Sequence, residues 1–175
     1  MPFTPIHFGP GVLLKAVAPA RFSFTAFVLA NVVIDLEPLY HIVSGDSPLH
    51  GPLHSLVGAT TTGVLAGVGL SLLSEASKRV PSIEDATSRL PSELQAEIRI
   101  LACVFGGAFG GASHAYFDSL IYSDSYPLAP FSLTNPMLGS IASDVLVTGL
   151  LLAGLIGVAL TTARVIVIRL NRRAA

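Results

Sequence analysis

Two apolar segments of this chain are each long enough to cross a lipid bilayer alone. They run over 53–73 and 145–168, and the second contains one charged residue, Arg164, near its end. The hydrocarbon core of a bilayer is about 30 Å thick, which a helix of about 20 apolar residues crosses. Charged residues make up only 12% of the sequence, whereas ordinary soluble domains contain roughly 25%. These features predict an integral membrane protein.

A third apolar segment, over 100–122, contains ionisable residues. His114 and Asp118 lie near its far end, and such groups are costly inside a membrane, so they usually serve a function. The same segment contains two overlapping Gly-x3-Gly pairs, which allow two helices to approach closely in lipid. These pairs are formed by Gly106, Gly107, Gly110 and Gly111.

The N-terminal region contains two shorter apolar stretches, over 8–18 and 22–36, separated at Pro19. We interpret them as a helical hairpin. Arms of about 12 to 15 residues reach only roughly 18 to 22 Å, so the hairpin would cross only a thinned or protein-shielded part of the bilayer. A single tilted span over 18–36 is the alternative interpretation.

The sequence therefore predicts an all-α fold, a polytopic membrane helix bundle. It consists of a short N-terminal helical hairpin followed by three longer transmembrane helices. Nothing in a chain of 175 residues with this composition indicates a second domain. The predicted helices cover 7–18, 22–36, 50–73, 92–122 and 140–170, with a cytoplasmic loop over 74–91.

The positions of the basic residues predict the orientation in the membrane. The ten lysines and arginines are Lys15, Arg21, Lys78, Arg79, Arg89, Arg99, Arg164, Arg169, Arg172 and Arg173. The connecting segments 40–53 and 121–144 contain none. By the positive-inside rule, the hairpin tip, the loop and the C-terminus are cytoplasmic in a multi-pass protein of the inner (plasma) membrane. The net charge of −1 and the lack of a basic stripe argue against a nucleic-acid partner.

With this topology, the histidines and several acids fall on the non-cytoplasmic side. His50 and His54 are four residues apart, as are His114 and Asp118, and residues at this spacing share one helical face. A hairpin would also return His7 to the end at which Asp35 lies. Imidazole and carboxylate ligands together suit Zn²⁺, and also Mn²⁺ or Fe²⁺.

These residues predict a site for one or two divalent metal ions, with zinc as the first choice. Two ions that share a carboxylate can activate water and clamp a phosphoryl group. The predicted ligands are His7, Asp35, His50, His54, His114 and Asp118.

Five short motifs occur in order between residues 4 and 131. They are Thr4-Pro5-Ile6-His7, Ile34-Asp35-Leu36-Glu37, His50-Gly51-Pro52-Leu53-His54-Ser55, Ser113-His114-Ala115-Tyr116-Phe117-Asp118 and Pro127-Leu128-Ala129-Pro130. Together they resemble the landmarks of a bacterial inner-membrane family of LexA-regulated, metal-dependent hydrolases. The His-x3-Asp pair has a fainter similarity to zinc-dependent phospholipase C and the related zinc nucleases.

The resemblance implies that the six ligands and Glu37 belong to one metal site. The chain departs from the family pattern at four positions, where Ile34 replaces Pro, Glu37 replaces Asp, Gly51 replaces Arg and Leu53 replaces Thr. The missing Arg would have been a phosphate or carboxylate clamp, so the substrate class stays open.

The resulting expectation is a metal-dependent hydrolase that uses metal-activated water on a lipid or lipid-linked ester or phosphoester. Asp35 is the expected bridging ligand or general base, and Glu37 is a second candidate catalytic residue. Membrane lipid and a lipid-like substrate are the expected partners. The alternative is a metal-binding membrane carrier, or a structural membrane subunit, without catalysis.

Overall fold

A computed structural model describes residues 5–89, 95 and 97–174. Within these residues the chain is helical and contains no β-strand. The α-helices are α1 (Gly9–Val17), α2 (Phe24–Ser44), α3 (Leu56–Ser77), α4 (Pro81–Ser88), α5 (Ile100–Ile121) and α6 (Ser143–Ala174). Short 3₁₀ helices, Pro5–Phe8 and Pro52–His54, precede α1 and α3.

Four of these helices, α2, α3, α5 and α6, are long and apolar enough to cross a membrane. The predicted all-α membrane bundle is therefore confirmed. The helix α1 has nine residues, which reach only about 14 Å at 1.5 Å per residue. It packs against α6, where a Cβ at Gly9 would collide with the carbonyl of Leu150.

The second arm of the hairpin is longer than predicted. The helix α2 continues to Ser44 instead of ending at residue 36, so the bundle has four long helices and not three. Pro38 lies inside α2 and lacks an N–H group, but the helix continues past it. Gly45, with a φ of 73°, ends the helix in the left-handed conformation. The alternative of one span over 18–36 is correct in that a single helix of this region, α2, is long enough to cross a membrane, but that helix begins at Phe24, after the turn that follows α1.

The start of α3 also differs from the prediction of one helix over 50–73. A 3₁₀ turn contains Pro52, and Ser55 then adopts an extended conformation, with a ψ of 151°. The Ser55 hydroxyl accepts a hydrogen bond from the Gly58 N–H and caps α3. This cap places the true helix start at Leu56, while His54 stays in the preceding turn.

The remaining boundaries differ at the helix ends. The predicted helix over 92–122 is described from Ile100 onward, and its predicted start lies outside the described residues. The predicted helix over 140–170 begins at Ser143, and the predicted loop over 74–91 contains α4 and the end of α3.

The helix α5 is the centre of the bundle, and glycines on two of its faces bring its neighbours close. A Cβ at Gly107 would collide with the carbonyl of Gly63 on α3, and a Cβ at Gly106 would collide with the carbonyl of Ser23 before α2. Gly110 and Gly111 repeat these two contacts one turn later. The predicted packing role of the Gly-x3-Gly pairs is thus observed.

The hairpin tip is tied to the start of α5. Lys15 forms an ion pair with Glu97, whose carboxylate also accepts a hydrogen bond from the Ser23 hydroxyl. The Ser71 hydroxyl near the end of α3 donates to the carbonyl of Ile98, also just before α5. The C-terminal ends of α1 and α3 and the start of α5, where basic residues occur, therefore lie at one end of the bundle.

Candidate metal centre

Six buried histidines and aspartates meet at the other end of the bundle. Each of them is at most 5% exposed. They come from five parts of the chain: His7 from the first 3₁₀ helix, Asp35 from α2, His50 from the following loop, His54 from the second 3₁₀ helix, and His114 and Asp118 from α5. These are the six residues that the sequence predicts as metal ligands.

The carboxylate of Asp118 lies at the centre of the cluster. Its Oδ2 is 3.2 Å from Nε2 of His114 and 3.6 Å from Nε2 of His54. Its Oδ1 is 3.7 Å from Nε2 of His7. Nε2 of His114 is also 3.5 Å from Oδ1 of a second carboxylate, that of Asp35.

These separations fit ligands of a shared metal ion. At metal–ligand distances of about 2.0–2.2 Å, the ligand atoms of a tetrahedral ion lie about 3.4 Å apart. Three overlapping groups have ligand atoms within 4.8 Å of one another: His7, His114 and Asp118; Asp35, His54 and His114; and His50, His54 and Asp118. Asp118, His54 and His114 each belong to two of these groups, so the six residues surround one centre or two neighbouring centres.

Hydrogen bonds orient two of the imidazoles toward the centre. Nδ1 of His54 is 2.9 Å from Oε2 of Glu37, so it donates its proton to that carboxylate. Nδ1 of His114 is 3.0 Å from Oδ1 of Asn31. The amide nitrogen of Asn31 donates to the carbonyl of Phe27, which leaves Oδ1 as the acceptor for His114. In both imidazoles the Nε2 lone pair therefore faces the cluster, as in metal sites with outer-shell partners.

His50, which lies in the loop before α3, is oriented by a carboxylate in the same way as His54. Its Nδ1 is 2.8 Å from Oδ1 of Asp124, and its ring stacks on Tyr122 with centroids 4.4 Å apart. Burial lowers the pKa of His50, and it lowers the pKa of His7 to about 4. Both imidazoles are therefore neutral near pH 7, which metal ligation requires.

Unsatisfied nitrogen atoms provide a test of whether a metal fits. Nε2 of His54 and Nε2 of His114 are buried and make no hydrogen bond of normal geometry among the described residues, although both face Oδ2 of Asp118 at 3.6 and 3.2 Å. Buried polar atoms are normally hydrogen-bonded, so two such lone pairs aimed at one point need an explanation. A divalent ion with nitrogen and carboxylate ligands satisfies both, and Zn²⁺ suits this donor set.

Glu37 lies behind His54 and not among the six central residues. Its carboxylate accepts hydrogen bonds from the Gly51 and Leu53 N–H groups, at 3.0 and 3.1 Å, in addition to His54. A Cβ at Gly51 would approach to 2.7 Å of this carboxylate, so the loop packs closely around it. This placement fits a residue that positions His54, and the catalytic role of Glu37 stays a prediction.

The sequence did not reveal the partners of His114 and His50. Asn31 could have been found, because it precedes Asp35 by four residues in an apolar helix and shares its face. Asp124 and Tyr122 lie in a polar loop, where an acid and a tyrosine are unremarkable. No periodic pattern relates them to His50.

Comparisons with protein-family models, curated proteins and solved structures found no match for this chain. The resemblance to the LexA-regulated hydrolases therefore stays a prediction, and the chemistry of the site is argued from its residues.

Proposed function

We propose that the protein is a membrane-embedded, metal-dependent hydrolase of a lipid or lipid-linked ester or phosphoester, with zinc as its metal. The observation that carries this proposal is the convergence of six buried imidazole and carboxylate groups, two of them with unsatisfied lone pairs aimed at the centre. Ionisable residues are expensive to bury in a membrane protein, and a purely structural role gives no reason for six of them to converge.

Each central residue has a role in this proposal. His7, His50, His54, His114 and Asp118 hold the metal, and Asp118 is the shared ligand. A bound divalent ion lowers the pKa of water and polarises the bond to be cleaved. Asp35 is the remaining carboxylate, 3.5 Å from His114. It also lines a cavity next to the cluster, so it is the group placed to accept a proton from water as general base.

The position of the cluster supports a substrate at the membrane surface. His54 is two residues before the start of α3, and Asp118 is three residues before the end of α5. At about 1.5 Å per residue, the cluster lies within about two turns of the ends of these spans. The basic residues lie toward the opposite end, so the positive-inside rule gives a non-cytoplasmic site and a cytoplasmic C-terminus in the inner membrane.

A metal carrier is less well supported. Transport requires a polar path through the spans. On the cytoplasmic side of the cluster, the backbones of α3 and α5 are in contact at Gly63 and Gly107. This contact leaves no room for a path between the two helices at that point.

The first experiment measures the metal content of purified protein by mass spectrometry. We expect at least one zinc per chain in the wild type and a loss of more than half of it in His54→Ala and Asp118→Asn. His41→Ala is the matched control, because His41 belongs to none of the metal groups, and it should retain the metal. Circular dichroism and size-exclusion profiles check that each variant is folded.

The second experiment tests hydrolysis with a panel of lipid esters and phosphoesters in mixed micelles. Cleavage by the wild type that is lost in both site variants supports the proposal. Wild type that contains metal but cleaves no member of the panel contradicts a hydrolase. Wild type that purifies and refolds without binding zinc contradicts the metal site itself.

A further inference from the structure

A cavity of about 290 Å³ adjoins the metal cluster between the N-terminal 3₁₀ helix, α2 and α5. Asp35 and His114 form its polar end. Its walls are Pro5, Phe8, Val28, Asn31 and Val32. The side-chain amide of Asn31 donates to the Phe27 carbonyl and accepts from His114. The other four wall residues have apolar side chains.

The cavity runs along α2 from Asp35 toward the N-terminal end of the helix. Val32 and Val28 precede Asp35 by three and seven residues, so the three side chains lie on one face of the helix. Seven residues correspond to about 10 Å along the helix axis. Val28 follows Phe27, whose carbonyl lies against Gly110 near the middle of α5, so the direction from Asp35 to Val28 leads from the cluster to the middle of the bundle.

We propose that this cavity holds the first carbons of a lipid acyl chain, and that Val28 and Val32 determine which chains the enzyme accepts. The inference rests on the proposed function and specifies its substrate class as a lipid with at least one acyl chain next to the scissile bond. A polar substrate without such a chain would leave these apolar walls unused.

The direction of the cavity supports an acyl chain as the occupant. In the leaflet on the side of the cluster, a lipid has its headgroup at the surface and its chains directed toward the bilayer centre. If the scissile bond next to the headgroup lies beside Asp35 and His114, the adjoining acyl chain therefore runs along Val32 and then Val28. The polar end of the cavity thus corresponds to the lipid headgroup, and its apolar wall corresponds to the acyl chain.

The first test compares chain selectivity in Val28→Phe and Val32→Phe. The larger ring fills the cavity, so we expect the ratio of kcat/KM for long-chain over acetyl substrates to fall at least tenfold, with unchanged metal content. Val43→Phe is the matched control, because Val43 lies on the same helix and is 80% exposed. The control should keep the ratio within twofold of the wild type.

The second test measures binding without catalysis. The sequence contains no tryptophan, so Phe8→Trp introduces a single fluorophore into the cavity wall. We expect saturable quenching when a lysophospholipid with a brominated acyl chain is added at low mole fraction to detergent micelles. Val28→Phe in the same background should remove the saturable component and leave only the linear quenching due to partition into the micelle.

The two tests separate this inference from the proposed function. Saturable quenching without cleavage of any lipid would support the acyl-chain cavity and contradict the hydrolase. Cleavage with an unchanged selectivity ratio in both valine variants, together with quenching that never saturates, would overturn the cavity proposal and leave the hydrolase intact.

Discussion

Replacing Glu37 with glutamine tests whether this residue acts by holding His54. The carboxylate accepts hydrogen bonds from three donors, namely Nδ1 of His54 and the N–H groups of Gly51 and Leu53. A glutamine offers one acceptor oxygen and an NH₂ group that is itself a donor. At least one of the three native donors then faces another donor.

The size of the effect follows from this hydrogen-bond count. An unsatisfied buried donor costs about 1–3 kcal/mol, which we expect as lost stability of Glu37→Gln. His54 can also escape the conflict by moving its proton to Nε2, which would direct N–H and not a lone pair at the cluster. Loss of such outer-shell partners typically weakens metal binding by about 10- to 100-fold, or about 1.4–2.8 kcal/mol.

The assay is a competition titration of zinc between the purified protein and a chromophoric chelator, with thermal unfolding measured in parallel. Glu75→Gln is the matched control, because Glu75 is 61% exposed and pairs with Lys78 on the surface of α3, away from the cluster. It should change the zinc affinity less than twofold. Wild-type zinc affinity in a folded Glu37→Gln protein would refute the positioning role, and full zinc affinity with abolished cleavage would restore Glu37 as a catalytic residue.

Three further predictions follow from the same structure. Asp124→Asn removes the charged partner of His50 and should weaken zinc binding about 10-fold in the same titration, while an unchanged affinity would place His50 outside the site. Gly107→Ala should destabilise the bundle by about 1–3 kcal/mol, because the added Cβ meets the carbonyl of Gly63, whereas Gly69→Ala on the open side of α3 should be neutral in thermal unfolding. Removal of zinc with a chelator should lower the unfolding temperature of the wild type, and added zinc should restore it; identical melting with and without metal would argue against a bound ion.

The residues of the cluster could be predicted from the sequence because several of them are ionisable groups at positions where burial is costly. His114 and Asp118 are ionisable residues inside an apolar segment, and their spacing of four residues places both on one face of α5. Local spacing could not show that His7, about 110 residues away in the chain, would lie beside them. That contact depends on the hairpin, whose turn at Pro19 was the relevant signal.

The supporting residues were harder to predict because they are ordinary where they stand. Asp124 lies in a polar loop, and Glu37 resembles a ligand in chemical type although its carboxylate accepts hydrogen bonds from His54, Gly51 and Leu53. The extent of α2 was missed for a related reason, since Pro38 usually ends a helix but is tolerated here within a span. Residue type alone does not distinguish a candidate ligand from a residue that orients it. The hydrogen bonds in the structure make that distinction possible.

The glycines of α5 connect the packing of the bundle to the geometry of the cluster. Gly111 contacts the carbonyl of Ala59 near the start of α3, and Gly110 contacts the carbonyl of Phe27 on α2. Both lie within about one turn of His114, so they set how closely the elements that carry His54 and Asp35 approach it. A Cβ at Gly111 or Gly110 would come within 2.0 or 2.7 Å of these carbonyl oxygens, so a larger residue at either position would force the helices apart. The small residues that allow α5 to pack closely are therefore also the residues that bring its histidine and aspartate close to the rest of the cluster.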